Sequence, residues 1–189
     1  MRRLQVVAAV IAASVAAPPV AYPCGNVVEL TRDEAIRLVA RAEKALEAGQ
    51  LTRAGSLLGR TRIRDDKLAA RAMDVRKLVW MRTRTHRVDE TNGPIMVAYF
   101  KRRVAEVGQA DVRFQAWLAE AYVAAGDDAA ARAILVDLKR RDLMPDGYAY
   151  LTLAALGDGE DRAVALRACE ARVRHTSACA LPGKVTTKR

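Results

Sequence analysis

The sequence predicts an all-α protein, a short right-handed α-solenoid of about four antiparallel helix pairs. Ala and Arg are the commonest of its 189 residues, aromatic residues make up 5%, and no run alternates apolar and polar residues as a strand does. Apolar residues recur instead at helical spacing, interrupted by Gly and Asp turns. Because one helix pair cannot bury its apolar faces alone, we expect the pairs to stack.

The first 21 residues have the pattern of a bacterial secretory signal peptide. Arg2 and Arg3 supply a positive start, and residues 4–17 form an apolar stretch that is too short to span a membrane comfortably. We expect cleavage after Ala21, with Ala16 as the alternative. The protein is therefore predicted to be exported, to the periplasm or outside the cell, with no transmembrane span in the mature chain.

After an extended segment over residues 22–30, one helical domain is expected over residues 31–176. Thr31 and Glu34 have the spacing of a capping box, which predicts the start of the first helix. Its apolar stripe runs to Gly49, and a shorter helix after that glycine completes the first pair.

The second pair is expected to flank a long polar linker. Asp65 or Asp66 can cap its first helix, and Pro94 after Asn92-Gly93 marks the start of its second helix. The apolar residues on these helices are Leu68, Ala72, Val75 and Val79, and Val97, Phe100, Val104 and Val107.

The third pair, over residues 111–145, has the clearest pattern. Gly126 ends its first helix, because glycine adopts the left-handed conformation at least cost, and Asp127 can cap the second helix. The apolar stripe of the first helix comprises Phe114, Trp117, Leu118, Ala121, Tyr122 and Ala125. That of the second comprises Ala131, Ile134, Leu135 and Leu138.

The fourth pair is expected to begin at Asp146, which can cap a helix that ends at Gly157. Asp158 or Asp161 can then open the last helix. Residues 177–189 are basic and are expected to form a frayed tail.

Within the third pair, a Leu, a small residue and a Tyr on one helix are followed by an Ala and a large apolar residue on the next. These residues are Leu118, Ala119, Tyr122, Ala131 and Leu135, and they surround the turn Gly126-Asp127. The pattern resembles a tetratricopeptide repeat, although Gln115 stands where the signature has Trp.

This resemblance implies a concave groove that is lined by the first helix of each pair and holds a segment of a partner protein. Carried over by position, the groove residues are Ile36, Val39, Glu43 and Leu46 in the first pair, and Arg113, Ala116, Glu120 and Val123 in the third. Packing between repeats is the alternative role for these residues. The resemblance implies a scaffold for protein–protein contacts at the cell envelope or in the periplasm, and neither a cofactor nor a metal is expected.

The net charge of +10 is concentrated in residues 60–87, which hold ten Lys and Arg against three Asp. If a helix begins early enough, four of these cations share one side of it: Arg60, Arg64, Lys67 and Arg71. Such a patch could bind an anionic envelope component or an acidic partner, which is the alternative function; it could equally be a solvated face. Nucleic acid is not an expected partner.

No catalytic residue is predicted. His86 and His175 stand beside no Ser, Cys or carboxylate in a recognisable nucleophile motif, so we expect the protein not to be an enzyme.

The three cysteines permit one disulfide in an oxidising compartment. We expect Cys169–Cys179, since either pairing with Cys24 would join two ends that a solenoid keeps apart. No lipobox precedes Cys24, so lipid anchoring there is not expected. Together with His175, the pair Cys169 and Cys179 matches no tight metal-binding spacing.

Overall fold

The computed structural model describes residues 28–83, 89–108, 110–172 and 179, and this part of the chain is mostly helical, which confirms the all-α prediction. The helices in this described part are α1 (Arg32–Glu47), α2 (Leu51–Leu58), α3 (Asp66–Thr83), α4 (Gly93–Val107), α5 (Val112–Ala124), α6 (Asp128–Arg140), α7 (Gly147–Leu156) and α8 (Gly159–Glu170). Two short strands not expected from the sequence, β1 (Val28–Glu29) and β2 (Thr61–Arg62), pair in parallel.

Several predictions concern residues outside the described part of the chain. These are the signal peptide, the first six residues of the expected extended segment, and the basic tail except Cys179. Cys24, His86 and His175 also lie outside it.

Four predicted helix caps form through local side-chain hydrogen bonds, whereas Asp158 stands at the start of α8 without one. Thr31 and Glu34 make the reciprocal capping box at the start of α1, where the Thr31 N–H donates to the Glu34 carboxylate over 2.9 Å. Asp65, Asp127 and Asp146 each accept a backbone N–H three residues ahead, at 3.0, 3.0 and 2.9 Å. These caps satisfy donors that a helix start otherwise leaves without partners, and so they fix where α3, α6 and α7 begin.

The helices pack mostly against near neighbours in the sequence. α3 packs on both α1 and α2, and α7 packs on both α5 and α6, while α8 packs on α7. α4 packs chiefly against α5. Its link to α3 is polar, because Tyr99 and Arg103 of α4 both hydrogen-bond to the Asp74 carboxylate.

Helix α5 lies between two apolar cores, one with α1–α4 and one with α6–α8. The single stripe predicted for α5 is therefore incomplete. Ala116, Ala119 and Glu120 are buried as well, because neighbouring helices cover more than one side of α5. Tyr122 of the predicted stripe is only half-buried.

The start of α4 touches the end of α5 closely enough to require glycine. A Cβ on Gly93 would lie 2.6 Å from both the carbonyl oxygen of Ala124 and the Cα of Ala125. The Asp89 N–H also donates to the Ala124 carbonyl over 2.9 Å. The Asn92-Gly93 turn thus fixes the packing of α4 on α5 as well as the start of the helix.

Several arginines bind carbonyl groups at helix ends, where the backbone lacks helical partners. Arg76 donates to the carbonyl of Leu58, the last residue of α2, and to that of Thr61 just after it. Arg162 donates to the Gly157 carbonyl over 2.8 Å, beyond the end of α7. Some of the arginines therefore form hydrogen bonds within the fold.

Candidate binding cleft

A cleft of about 620 Å³ lies among α1, α3, α5, the C-terminal end of α4 and the start of α7. Its size falls within the usual range for ligand-binding pockets. Its apolar lining residues are Leu46, Val75, Val107, Phe114, Trp117 and Pro145. Its charged lining residues are Glu43, Glu47, Arg71, Asp74, Arg82, Arg103, Asp111, Arg113, Asp146 and Arg172.

Two aromatic rings of α5, the buried Phe114 and the half-buried Trp117, belong to the apolar lining. The ring centroids of Phe114 and Trp117 are 4.6 Å apart in an edge-on arrangement. The guanidinium of Arg103 lies 5.0 Å from the Phe114 centroid, which is within cation–π range. The cleft can therefore accept an apolar side chain next to a charged group.

Three ion pairs line the walls of the cleft. Arg71 donates to both carboxylate oxygens of Glu43, at 2.9 and 2.6 Å. Arg113 donates to both oxygens of Asp111 at 3.0 and 2.7 Å, and this hydrogen bonding holds the pKa of Asp111 below its ordinary value. Arg103 pairs with Asp74 in the same two-pronged way, at 3.0 and 2.9 Å.

A fourth group of charges is buried at the base of the cleft. The side chain of Arg82 is 2% exposed and donates to Glu120, which is 7% exposed, at 2.9 and 2.6 Å. Asp146 accepts a further bond at 3.2 Å, and the Tyr148 ring centroid lies 3.9 Å from the guanidinium. These contacts, which we call the Arg82 network, tie together α3, α5 and the start of α7.

Burial and pairing act in opposite directions within the Arg82 network. Burial opposes the positive charge of Arg82, but Glu120 and Asp146 outweigh it and raise the pKa of the guanidinium above its ordinary value. Burial raises the pKa of Glu120 despite the nearby Arg82. The network therefore depends on each charge keeping its partner.

The residues predicted to line a groove are only partly brought together. Glu43, Leu46 and Arg113 lie in the cleft, whereas Glu120 is enclosed in the Arg82 network behind it. The others lie elsewhere: Ile36 is exposed outside the lining, Val39 and Ala116 are fully buried, and Val123 is half-buried against the core of α6–α8. Val39, Ala116 and Val123 therefore pack in the apolar cores. Packing was the alternative role considered for these residues.

Sequence reasoning missed Asp74, Arg82 and Arg103. A signal did exist for Arg82, which follows Leu78 by four residues and Val75 by seven and so falls on the buried side of α3. Glu120 likewise falls on the buried side of α5. Opposite charges at buried positions of two helices indicate an ion pair, but nothing in the sequence places those helices side by side.

The predicted basic helix side does not form. Helix α3 begins at Asp66, so Arg60 and Arg64 precede it and cannot share a helical side with Lys67 and Arg71. Arg64 pairs with Glu29 across the two strands, and Arg71 pairs with Glu43. The capping preference of Asp65 explains the late start of the helix.

Cys169 and Cys179 form a disulfide, with their Cα atoms 6.0 Å apart, and both side chains are buried against α7 and α8. Within residues 28–83, 89–108, 110–172 and 179, no group of three or more His, Cys, Asp or Glu side chains could hold a metal ion. None of the helices in those ranges combines the length and the apolar character needed to cross a membrane.

Comparison of the chain with known proteins finds no family model, no curated relative and no solved structure that matches it.

Proposed function

We propose that this protein is an exported, non-enzymatic helical scaffold that binds a segment of a partner protein in the cleft, in the periplasm or at the cell envelope. One observation carries the proposal: α1, α3 and α5, the first helices of three predicted pairs, all contribute to one cleft. A preformed concave surface loses little conformational freedom when a segment binds, which favours recognition of an extended peptide.

The proposed architecture is a short right-handed α-solenoid of the tetratricopeptide type. The packing of α3 on both helices of the first pair, and of α7 on both helices of the third, supports stacking of successive pairs. The main departure from such an arrangement is α4, which packs on α5 more than on its predicted partner α3.

The cleft is a better candidate than the basic segment as a binding site. Of the segment's eight cations that the structure describes, five have internal contacts. Arg64, Arg71 and Arg82 pair with carboxylates, Arg76 binds carbonyls, and Lys77 lies over the Tyr99 ring. Most of the described cations of the segment thus already have a contact within the fold, and among them Arg71 belongs to the cleft.

Val107→Trp tests the cleft directly. Val107 lines the cleft and is 39% exposed, so a larger side chain can occupy the opening with little loss of packing. We expect binding of partners that co-purify from the native envelope to weaken roughly tenfold, which corresponds to about 1.4 kcal/mol. Helix content, measured by circular dichroism, should not change.

Val136→Trp is the matched control, because Val136 is 47% exposed on α6 and does not line the cleft. It should retain the partners. Retention of the same partners by Val107→Trp would exclude the cleft as their binding site.

A further inference from the structure

The ion pairs of the cleft expose their arginines more than their carboxylates. In each of the three wall pairs, the arginine side chain is more exposed than the acidic one. The exposed fractions of the side chains are 57% and 25% for Arg113 and Asp111, 46% and 30% for Arg71 and Glu43, and 12% and 4% for Arg103 and Asp74. The cleft therefore presents more hydrogen-bond donors than acceptors to an occupant.

Arg172 adds to this bias. It is exposed at the cleft, and its guanidinium lies 4.5 Å from the Tyr150 ring centroid and donates to the Ala168 carbonyl over 3.4 Å. It forms no ion pair with a described acidic residue. Glu47 acts in the other direction, as an exposed carboxylate on α1 that lines the same cleft. The cleft thus holds three well-exposed arginine side chains, those of Arg71, Arg113 and Arg172, and one well-exposed carboxylate, that of Glu47.

The paired arginines retain capacity to bind a second acceptor. A guanidinium has five N–H donors, and a two-pronged bond to one carboxylate uses two of them. Hydrogen bonds to Glu43 raise the pKa of Arg71, and hydrogen bonds to Asp111 raise the pKa of Arg113. Both guanidinium groups therefore stay charged while they line the cleft.

We propose, building on the proposed function, that the partner segment held in the cleft is acidic. Its Asp or Glu side chains accept hydrogen bonds from Arg71, Arg113 and Arg172, and an apolar side chain packs on the Phe114–Trp117 pair. Residues 180–189 contain Lys184, Lys188 and Arg189 and no acidic side chain, so they offer no such group. The exposed arginines of the cleft thus favour an acidic segment of another protein.

The test uses three fluorescein-labelled decapeptides that differ only at four positions. These four residues are all Glu in the first peptide, all Gln in the second and all Lys in the third. Each has two leucines at its centre and an amidated C-terminus, so that acidic side chains are the only carboxylates compared. Fluorescence anisotropy with the purified protein should show the Glu peptide binding at least about tenfold more tightly than the Gln and Lys peptides.

The double variant Arg71→Gln with Arg113→Gln should weaken binding of the Glu peptide roughly tenfold, since each partly exposed ion pair contributes a few-fold. The matched control is Arg140→Gln with Arg141→Gln, which removes the same charge from arginines that pair with Asp137 away from the cleft. This control should bind the Glu peptide like the unmodified protein. Circular dichroism should show the same helix content for both double variants.

Distinct results would overturn the two proposals. If the Glu and Gln peptides bind equally, or if both double variants lose the same affinity, the proposal of an acidic segment is wrong. If Val107→Trp nevertheless abolishes peptide binding, the cleft remains the binding site. Peptide binding that survives Val107→Trp would overturn the cleft itself. If none of the three peptides binds, the proposal of an acidic segment is wrong. The co-purification test with envelope partners would then still decide whether the cleft is a binding site.

Discussion

Replacing Glu120 with Ala should lower the free energy of unfolding by about 3–5 kcal/mol, because it leaves the buried charge of Arg82 with too few partners. Arg82 donates to both Glu120 oxygens and is almost fully buried. Among the described residues, Asp146 would remain as its one carboxylate partner, at 3.2 Å. Urea unfolding followed by circular dichroism at neutral pH measures the loss.

Two further variants show whether the loss comes from the uncompensated charge. Glu106→Ala removes a more exposed partner of Arg103 and should cost less than about 1 kcal/mol. Combining Arg82→Met with Glu120→Leu removes both charges and should recover most of the lost stability, since apolar replacements of a buried ion pair are often neutral. If Glu120→Ala costs no more than Glu106→Ala, the Arg82 network is not buried in solution.

Replacing Phe100 with Ala should cost about 3–5 kcal/mol, because it removes a large aromatic side chain from a fully buried position. Phe100 belongs to the core that α4 and α5 share with α1–α3, and its ring centroid lies 6.2 Å from that of Trp117. Thermal and urea unfolding should both show the loss, and the Trp117 fluorescence should change with it.

Ile95→Ala is the control on the same helix, because Ile95 is exposed and its truncation removes little packing. We expect a change of less than about 1 kcal/mol. Similar costs for the two variants would mean that α4 is not docked on α5 through Phe100.

The parts of the fold that depend on local chemistry could be predicted from the sequence. Thr31, Asp127 and Asp146 cap helices because the groups they bind are three residues away in the chain. Gly126 has φ 79°, the left-handed value expected after a helix, and ends α5 as anticipated. These interactions need no knowledge of the tertiary structure.

Features that join distant segments could not be predicted in the same way. Arg82 and Glu120 are 38 residues apart, and Arg82 and Asp146 are 64 apart. The sequence shows charges on buried helix sides but not which helices meet. For the same reason, only part of the cleft lining could be predicted from the sequence. Glu43 and Arg113 were predicted, and Asp74, Arg103 and Arg172 were not.

The charge of residues 60–87 shows that composition alone does not reveal how much of a segment's charge is exposed. The sequence concentrates ten cations there, which favoured a basic surface. In the fold, Arg82 is buried against the Glu120 carboxylate and the half-buried Arg76 donates to the Thr61 carbonyl, so neither presents its charge fully at the surface. Net charge in a segment therefore overestimates the charge available to a partner.

Site-specific photo-crosslinking in intact cells tests the central claim, that the cleft holds a partner segment, most directly. A benzophenone amino acid would replace Val107 in the cleft and, as the control, Val136 on α6. We predict a crosslinked product with a partner protein from position 107 and none with that partner from position 136. No product from position 107, or the same product from both positions, would contradict the assignment of the cleft as the binding site.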